Sequence, residues 1–364
     1  MRATGWNFYA IPDVRDAPDL VAADQNYNGL SGLLAARAFN FGSPPDSPCP
    51  VFTLGGHGLC TPGNLTNIQA APKAGKSAVV ESLIAAAIRG SRTGGDTLGF
   101  SAVNREGLAL IHLDTEQCPF DHDRLVRRAL RRAGVETPPP WLMSFSVVDL
   151  LVGDRQEAVA LLMDQARRNH GGVFAVTIDG IGDLCLDPNE SAGSFALVNQ
   201  LHTLAVTYST VIITVLHENP GSETGKTRGH LGSHLERKAE TNLRLLKDKN
   251  NVTTMWAEKA RHLHLPKEQG VCFTWDAGVA MHTTCGTAGE VRLTAARRQA
   301  LDEAVRSFGD RIELNYTCLT TSIMEALGLC ESSAKKRIRA WLKDGFVNRD
   351  SAGAYNLAAS STAS

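Results

Sequence analysis

The chain has almost no excess of charge. Over 364 residues, 37 Lys and Arg stand against 38 Asp and Glu, a formal net charge of −1. That balance argues against a strongly basic nucleic-acid coat protein, but it leaves room for local basic surfaces, because charge can be segregated. The chain also lacks any run of about 20 apolar residues, so no membrane span and no membrane partner are expected. The opening segment MRATGWNFYAIPDVRD has no apolar core of the kind a signal peptide needs. The eight cysteines, at positions 49, 60, 118, 185, 272, 285, 318 and 330, include no CxxC pair. A zinc ribbon or dithiol redox motif is therefore not expected, and the pattern suits the reducing cytoplasm. No internal repeat is visible.

Hydrophobic residues make up 43% and charged residues 21%, close to a soluble globular average. Wholesale disorder is thus excluded, and the length suggests about two domains. Residues 1–50 read as an irregular strap or linker, with FGSPPDSPCP before Val51. From there short apolar segments alternate with longer amphipathic ones. Strands are expected at 64–70, 108–114, 141–149, 173–179 and 210–217. Helices are expected at 77–90, 121–134, 155–170 and 194–208. Such alternation predicts an α/β fold, a mostly parallel sheet between helices. TTMWAEKAR (253–261) and VCFTWD (271–276) read as antiparallel additions, completing a core over 51–282. After the stretch Thr283–Gly289 the pattern changes to helices at 294–309, 319–329 and 332–346, followed by a hairpin at 347–358. Helix, helix, turn, helix, hairpin is the order of a winged helix-turn-helix, expected over 290–358, with Ser332 or Ser333 as an N-cap. The tail, 359–364, is expected to be disordered.

The strongest local signal is Ala70-Ala71-Pro72-Lys73-Ala74-Gly75-Lys76-Ser77, followed by Ala78. It matches the phosphate-binding P-loop except that Ala70 replaces the first glycine, a tolerable change if that position keeps φ below zero. A strand runs in and an Ala-rich helix runs out. Backbone N–H groups of Ala71 and of Lys73 to Ala78, with Pro72 shaping the loop between them, are then placed to cradle phosphates. Lys76 is placed to reach the β- and γ-phosphates, and the Ser77 hydroxyl to bind Mg²⁺. The competing reading is an ordinary glycine turn with a solvated lysine.

Two acidic strand ends support an ATP and Mg²⁺ site. VFAVTID ends in Asp179, in position to hold Mg²⁺ through water, and LALIHLD is followed by Thr115 and Glu116. Glu116 is a candidate general base that activates water for attack on the γ-phosphate. A strand-terminal acid can equally be a simple helix cap. In open α/β sheets ligands bind at the carboxyl ends of the strands, where both acids fall.

This set resembles the RecA-like ATPases, and within them the branch of hexameric plasmid-type RepA helicases and their relatives, over about residues 50–276. The resemblance implies a RecA-like core, a homo-oligomeric ring, of six subunits in that branch, and work on DNA. It implies Glu116 as the catalytic glutamate. It implies His217, in IITVLHENP, as the polar residue that senses the γ-phosphate. It implies Lys259 and Arg261, in EKAR, as the basic pair that reaches the neighbouring subunit's ATP site. An arginine suits that role because its planar fork bonds phosphate oxygens in pairs, but a solvated basic strand end looks the same in sequence. The segment 223–241 follows the sensor strand, where RecA-like ATPases place a DNA-binding loop, and Lys226, Arg228 and His230 are its candidate phosphate contacts. A replication initiator or a primase would be the protein partner, although no primase-interaction domain is recognisable.

In the C-terminal region the second helix of a helix-turn-helix would enter the major groove. Lys335, Lys336 and Arg339 lie on or near its polar face, while Ile338, Trp341 and Leu342 have core spacing. Residues 290–349 carry 11 Lys and Arg against 8 Asp and Glu, a modest basic bias. Winged helices also bind proteins. Three readings stay open: a ring-forming DNA helicase of a plasmid, phage or mobile element; a recombination or repair ATPase without unwinding activity; and an ATP-gated DNA-binding regulator.

Overall fold

The computed structural model describes residues 31–35, 37–92, 94–218, 227 and 229–358. The chain divides after Pro48. In the first unit a helical turn covers 31–35, and most of the strap expected over 1–50 lies outside the described residues. Cys49 and Pro50 belong to the second unit, where the Val51 amide donates to the Cys60 carbonyl at 2.9 Å.

The second unit is α/β. Its elements run β1 (Phe52–Leu54), β2 (His57–Cys60), β3 (Leu65–Ala70), α1 (Lys76–Arg89), β4 (Phe100–Ala102), β5 (Ala109–Asp114), α2 (Pro119–Ala133), β6 (Leu142–Ser146), α3 (Val152–His170), β7 (Val173–Asp179), α4 (Ser191–Thr207), β8 (Val211–His217), α5 (Gly229–Lys238), β9 (Thr241–Lys247), β10 (Thr253–Ala260), β11 (Val271–Asp276) and β12 (Met281–Thr287). Nine of these strands form one sheet in the order β12-β11-β10-β9-β3-β8-β7-β5-β6. From β9 to β6 every neighbour is parallel, and β10, β11 and β12 add antiparallel at the other side. Strands β3, β5 and β7 are buried at every position. Burial on both faces explains their continuous apolar runs. One buried cluster packs α1 and α2 onto one face, around Ile68, Leu83, Val215 and Phe273. Another packs α3, α4 and α5 onto the other, around Ile111, Met163, Ile178 and Leu201. A separate three-stranded sheet, β2-β1-β4, lies beside the core.

One expectation along this stretch changes. The segment 223–241 is not one long loop: α5 forms because Leu231, Gly232 and Leu235 are buried on one face. Strand β9 then follows, inserted between β3 and β10. Further on, Thr283–Gly289, which falls between the two expected domains, is regular structure. It completes β12 and opens the next helix, α6 (Ala288–Phe308), through a capping box in which Thr287 and Glu290 satisfy each other's backbone amides.

Beyond α6 lie β13 (Glu313–Leu314), α7 (Tyr316–Leu327), α8 (Glu331–Asp344), β14 (Val347–Arg349) and β15 (Tyr355–Leu357). The strands pair β13-β15-β14. Phe308, Leu319, Ile323, Ile338 and Trp341 form a third core. Ile338 and Trp341 are buried as their spacing predicts, and Leu342 is partly buried against them. The N-cap of α8 is Cys330 rather than a serine. Its backbone is extended, and its thiol lies 3.3 Å from the hydroxyls of both Ser332 and Ser333. The tail over 359–364 lies outside the described residues. Among the described residues no helix is long and apolar enough to cross a membrane.

Candidate active site

The carboxyl edge of the parallel strands gathers the chemistry. In register, Ala70 of β3 stands beside His217 of β8, and Asp114 of β5 stands beside Asp179 of β7. The turn between β3 and α1 carries the Ala71–Ser77 motif. Ala70 lies inside a regular strand and has no positive φ, so replacing the usual glycine costs nothing there. Gly75 does need its freedom. Its φ is +95°, and a Cβ would meet the Phe273 ring at 2.8 Å. Lys73 is also left-handed, with φ 62°. Thr253 of β10 steadies the turn, its hydroxyl donating to the Ala74 carbonyl at 3.2 Å.

Helix α1 begins at Lys76 with no side-chain cap and no acidic residue in its first turn. Its first amides therefore have neither intrahelical nor capping partners, an arrangement suited to an anion. Lys76 is buried, and its Nζ donates to the Ala71 carbonyl at 3.2 Å and to His217 Nδ1 at 3.1 Å. The ammonium can only donate, so in the neutral ring the proton sits on His217 Nε2. That Nε2–H faces Glu116, 3.1 Å from Oε1 and 3.3 Å from Oε2. Lys76, His217 and Glu116 thus form one continuous polar chain across three elements.

The charges at this edge perturb one another. The hydrogen bond from His217 holds the Glu116 carboxyl below its ordinary range, against the opposing effect of burial. Burial pulls the Lys76 ammonium down, while Glu116, Asp179 and Glu218 push it back up. Asp179 is 4% exposed. Burial first, then the charges of Asp114 and Glu116, raise its carboxyl to about 7. A buried carboxylate facing two others fits a divalent cation, whose charge would remove the penalty.

A pH prediction follows. The folded-state value of Asp179 lies above its unfolded value of about 3.9. The native state therefore holds this proton from about pH 4 to about 7, and the associated stability declines as pH rises through that window. In metal-free buffer, Asp179→Asn is expected to flatten the decline, read as the pH dependence of the urea midpoint. A variant with the same slope as wild type would remove Asp179 as its source.

A cleft of 430 Å³ opens over the turn and touches Gly75, Lys76, Ser77, Glu116, Asp179 and His217. Its mouth adds residues that the sequence reading missed. Trp275 of β11 is half exposed, and His282 of β12 packs edge-on to it, centroids 5.4 Å apart. Their signal was faint, an aromatic on a strand treated only as an addition to the sheet. A second cleft of 200 Å³, lined by Gly180, Asp183 and Pro188, meets the first at Glu116 and His217. Gly180 packs so tightly on Thr115 and Glu116, at φ +99°, that any side chain there would displace them.

Asp114, two residues before Glu116, is a further acid at this edge. It is fully buried, and its Oδ1 accepts from the amides of Glu116 and Gln117 at 3.1 and 2.9 Å. It shapes the turn that presents Glu116.

Other expected site residues lie elsewhere. Lys259 and Arg261 are exposed and sit at the opposite edge of the sheet, where the Arg261 amide donates to the Glu240 carbonyl at 3.0 Å. Lys259 is six strand positions from Thr253, roughly 20 Å along β10, so neither reaches Lys76 of its own chain. His230 is exposed in the first turn of α5. Lys226 and Arg228 lie outside the described residues. On α8, Lys335 is tied to Glu331 at 2.5 Å, whereas Lys336 and Arg339 are exposed.

No family model matches the chain, and no curated protein matches it either.

Proposed function

We propose that the protein is an ATP-hydrolysing RecA-like motor that assembles as a ring and acts on DNA. The observation that carries this reading is the unbroken Lys76–His217–Glu116 chain beside buried Asp179. It joins the residue that neutralises a terminal phosphate to the residue that activates water, at the sheet edge where α/β proteins bind nucleotides.

The residues fit ATP and Mg²⁺ because the cleft pairs uncapped helix amides and an ammonium with a protonatable buried carboxyl. ATP with Mg²⁺ would supply the phosphoanhydride bond to be broken. The amides of Ala71 and of Lys73–Ala78, with the Lys76 ammonium, would hold the phosphates, and Ser77 and Asp179 would hold the cation. Glu116, ionised at neutral pH, takes the proton of the attacking water. His217 ties Glu116 to Lys76, so the water-activating group responds to what the lysine binds. The shared boundary of the two clefts at Glu116 and His217 gives that response a route toward the surface near Pro188 and α5. Trp275 and His282 offer a stacking surface for a base.

Lys259 and Arg261 cannot serve their own chain's site, so in a ring each pair serves the next subunit. Lys226, Arg228 and His230 are the proposed DNA contacts, and a ring repeats them around one channel. The C-terminal region is read as a winged helix. Exposed Lys336 and Arg339 favour a second reading, an ATP-gated regulator that binds one duplex site through α8.

A strand-displacement assay with ATP, run beside electron microscopy of the nucleotide-bound particle, tests the motor. Ring particles and unwinding that is lost in Lys226→Ala/Arg228→Ala are expected. ATP turnover without unwinding, with duplex binding lost instead in Lys336→Ala/Arg339→Ala, would replace the motor with the regulator.

A further inference from the structure

Next to the Glu116 turn lies a second cluster whose two histidines have no part in the proposed nucleotide chemistry. His112 and Asp114 are alternate residues of β5 and so share one face of the sheet. His122, in the first turns of α2, faces them. One donor atom from each of the three lies within 4.8 Å of the others. The two imidazoles are nearly parallel, 9° apart with centroids 5.5 Å apart.

The hydrogen bonds around His112 fix its tautomer. The Thr177 hydroxyl donates to the Ile111 carbonyl at 3.3 Å, so it accepts from His112 Nδ1 at 3.0 Å. With the ring proton on Nδ1, Nε2 keeps a bare lone pair. That atom is fully buried and has no hydrogen-bond partner. A buried acceptor without a donor is rare in native proteins and calls for an unseen partner. Asp114 Oδ2 lies 3.4 Å from His122 Nδ1, and His122 Nε2 lies 3.1 Å from Ser144 Oγ.

We propose that His112, Asp114 and His122 form a site for a divalent transition-metal ion of the zinc class, which clamps the turn that carries Glu116. Two imidazoles and one carboxylate are the donor set of open, three-ligand zinc sites. Nitrogen donors select such ions over Mg²⁺, which prefers oxygen. Thr177 is the outer partner that orients a ligating histidine through its far nitrogen. The ion's charge also offsets the buried Asp114–Asp179 neighbourhood. In a tetrahedral site, donor bonds of about 2.1 Å place donors about 3.4 Å apart, so the cluster closes by a modest side-chain movement. His122, with its side chain 12% exposed, gives the route in. The site acts on the reaction by position: Asp114 offers Oδ2 to the ion while Oδ1 holds the Glu116 and Gln117 amides.

The test uses the full chain, stripped with chelator, kept reduced, and titrated with Co²⁺ and then Zn²⁺. Metal content after desalting, visible absorption and the thermal midpoint are read. One ion per chain is expected, with a cobalt spectrum of nitrogen and oxygen donors and a Zn²⁺-dependent rise in midpoint that excess Mg²⁺ does not reproduce. His122→Ala, at the exposed margin, should keep the fold and weaken binding by about 100-fold or more. His112→Gln should do the same, and Cys118→Ser should bind as wild type. Wild type without stoichiometric ion, a thiolate-type spectrum, or unchanged binding in folded His122→Ala would each overturn the site. None of these readouts depends on nucleotide turnover, so the clamp and the motor stand or fall separately.

Discussion

Lys76→Ala is expected to reduce ATP turnover by at least about 10³-fold, to background, while the protein still folds. The size follows from what the lysine does. Its buried ammonium touches both the Ala71 carbonyl and the His217 ring. Phosphoryl transfer relies almost wholly on positioning and charge stabilisation, so under the proposed reading removing that cation leaves the phosphates without their counter-charge and His217 without its hydrogen-bond donor. Folding should survive because burying the ammonium is itself unfavourable, burial lowering its pKa, and alanine suits a helix start in an Ala-rich segment. Steady-state phosphate release, with circular dichroism as the fold control, checks this. Normal turnover in a folded Lys76→Ala protein would remove the site assignment.

Glu116→Gln is expected to lose about 10²–10⁴-fold in turnover while nucleotide still binds. Gln keeps the shape and a hydrogen-bond acceptor for His217 Nε2, now 3.1 Å from Oε1, but it cannot take a proton. The signature is therefore a separation: fluorescent nucleotide binds near wild-type affinity while single-turnover hydrolysis collapses. The same variant probes the subunit interface. Mixed with Arg261→Ala, it should restore some activity at intermediate ratios, because a ring then contains interfaces that pair an intact Glu116 with an intact Arg261. Removal of a trans-acting arginine costs about 10³–10⁵-fold in known systems, so even a few rebuilt interfaces would stand out. Equal loss of binding and turnover in Glu116→Gln would make the residue structural. No recovery at any mixing ratio would place Arg261 outside the reaction.

The alternation of apolar strands with amphipathic helices was legible in the sequence because each has its own period, and both faces of the central strands are buried. The strand–turn–helix around Lys76 was legible because its parts are adjacent in the chain: turn, lysine, hydroxyl and helix start lie within eight residues. Asp179 and Glu116 were legible as strand-terminal acids. The short strands β1, β2 and β4 were not, since three or four residues carry too little pattern. Strand β9 was hidden behind a Gly- and Lys-rich stretch read as loop, and α5 was hidden with it. The N-cap of α8 shows the same limit: two serines looked like caps, but the extended backbone at Cys330 made the thiol the neighbour instead.

The sequence by itself determined most of the parallel strands of the sheet, where the turn between β3 and α1 must lie, and that the charges nearly cancel. Those properties depend on residues close together in the chain. Only the tertiary structure decided what depends on distant ones. It set β8 beside β3, bringing His217 onto Lys76 and Glu116 across gaps of 141 and 101 residues. It ran β10 antiparallel to β9, sending Lys259 and Arg261 to the far edge of the sheet. It folded α2 back over β5, so that a buried histidine, an aspartate and a second histidine converge where the sequence shows only HLD and FDHD. The near-neutral balance noted first thus conceals a strongly polarised edge. Strand order and direction choose which charges face each other, and neither can be read from composition.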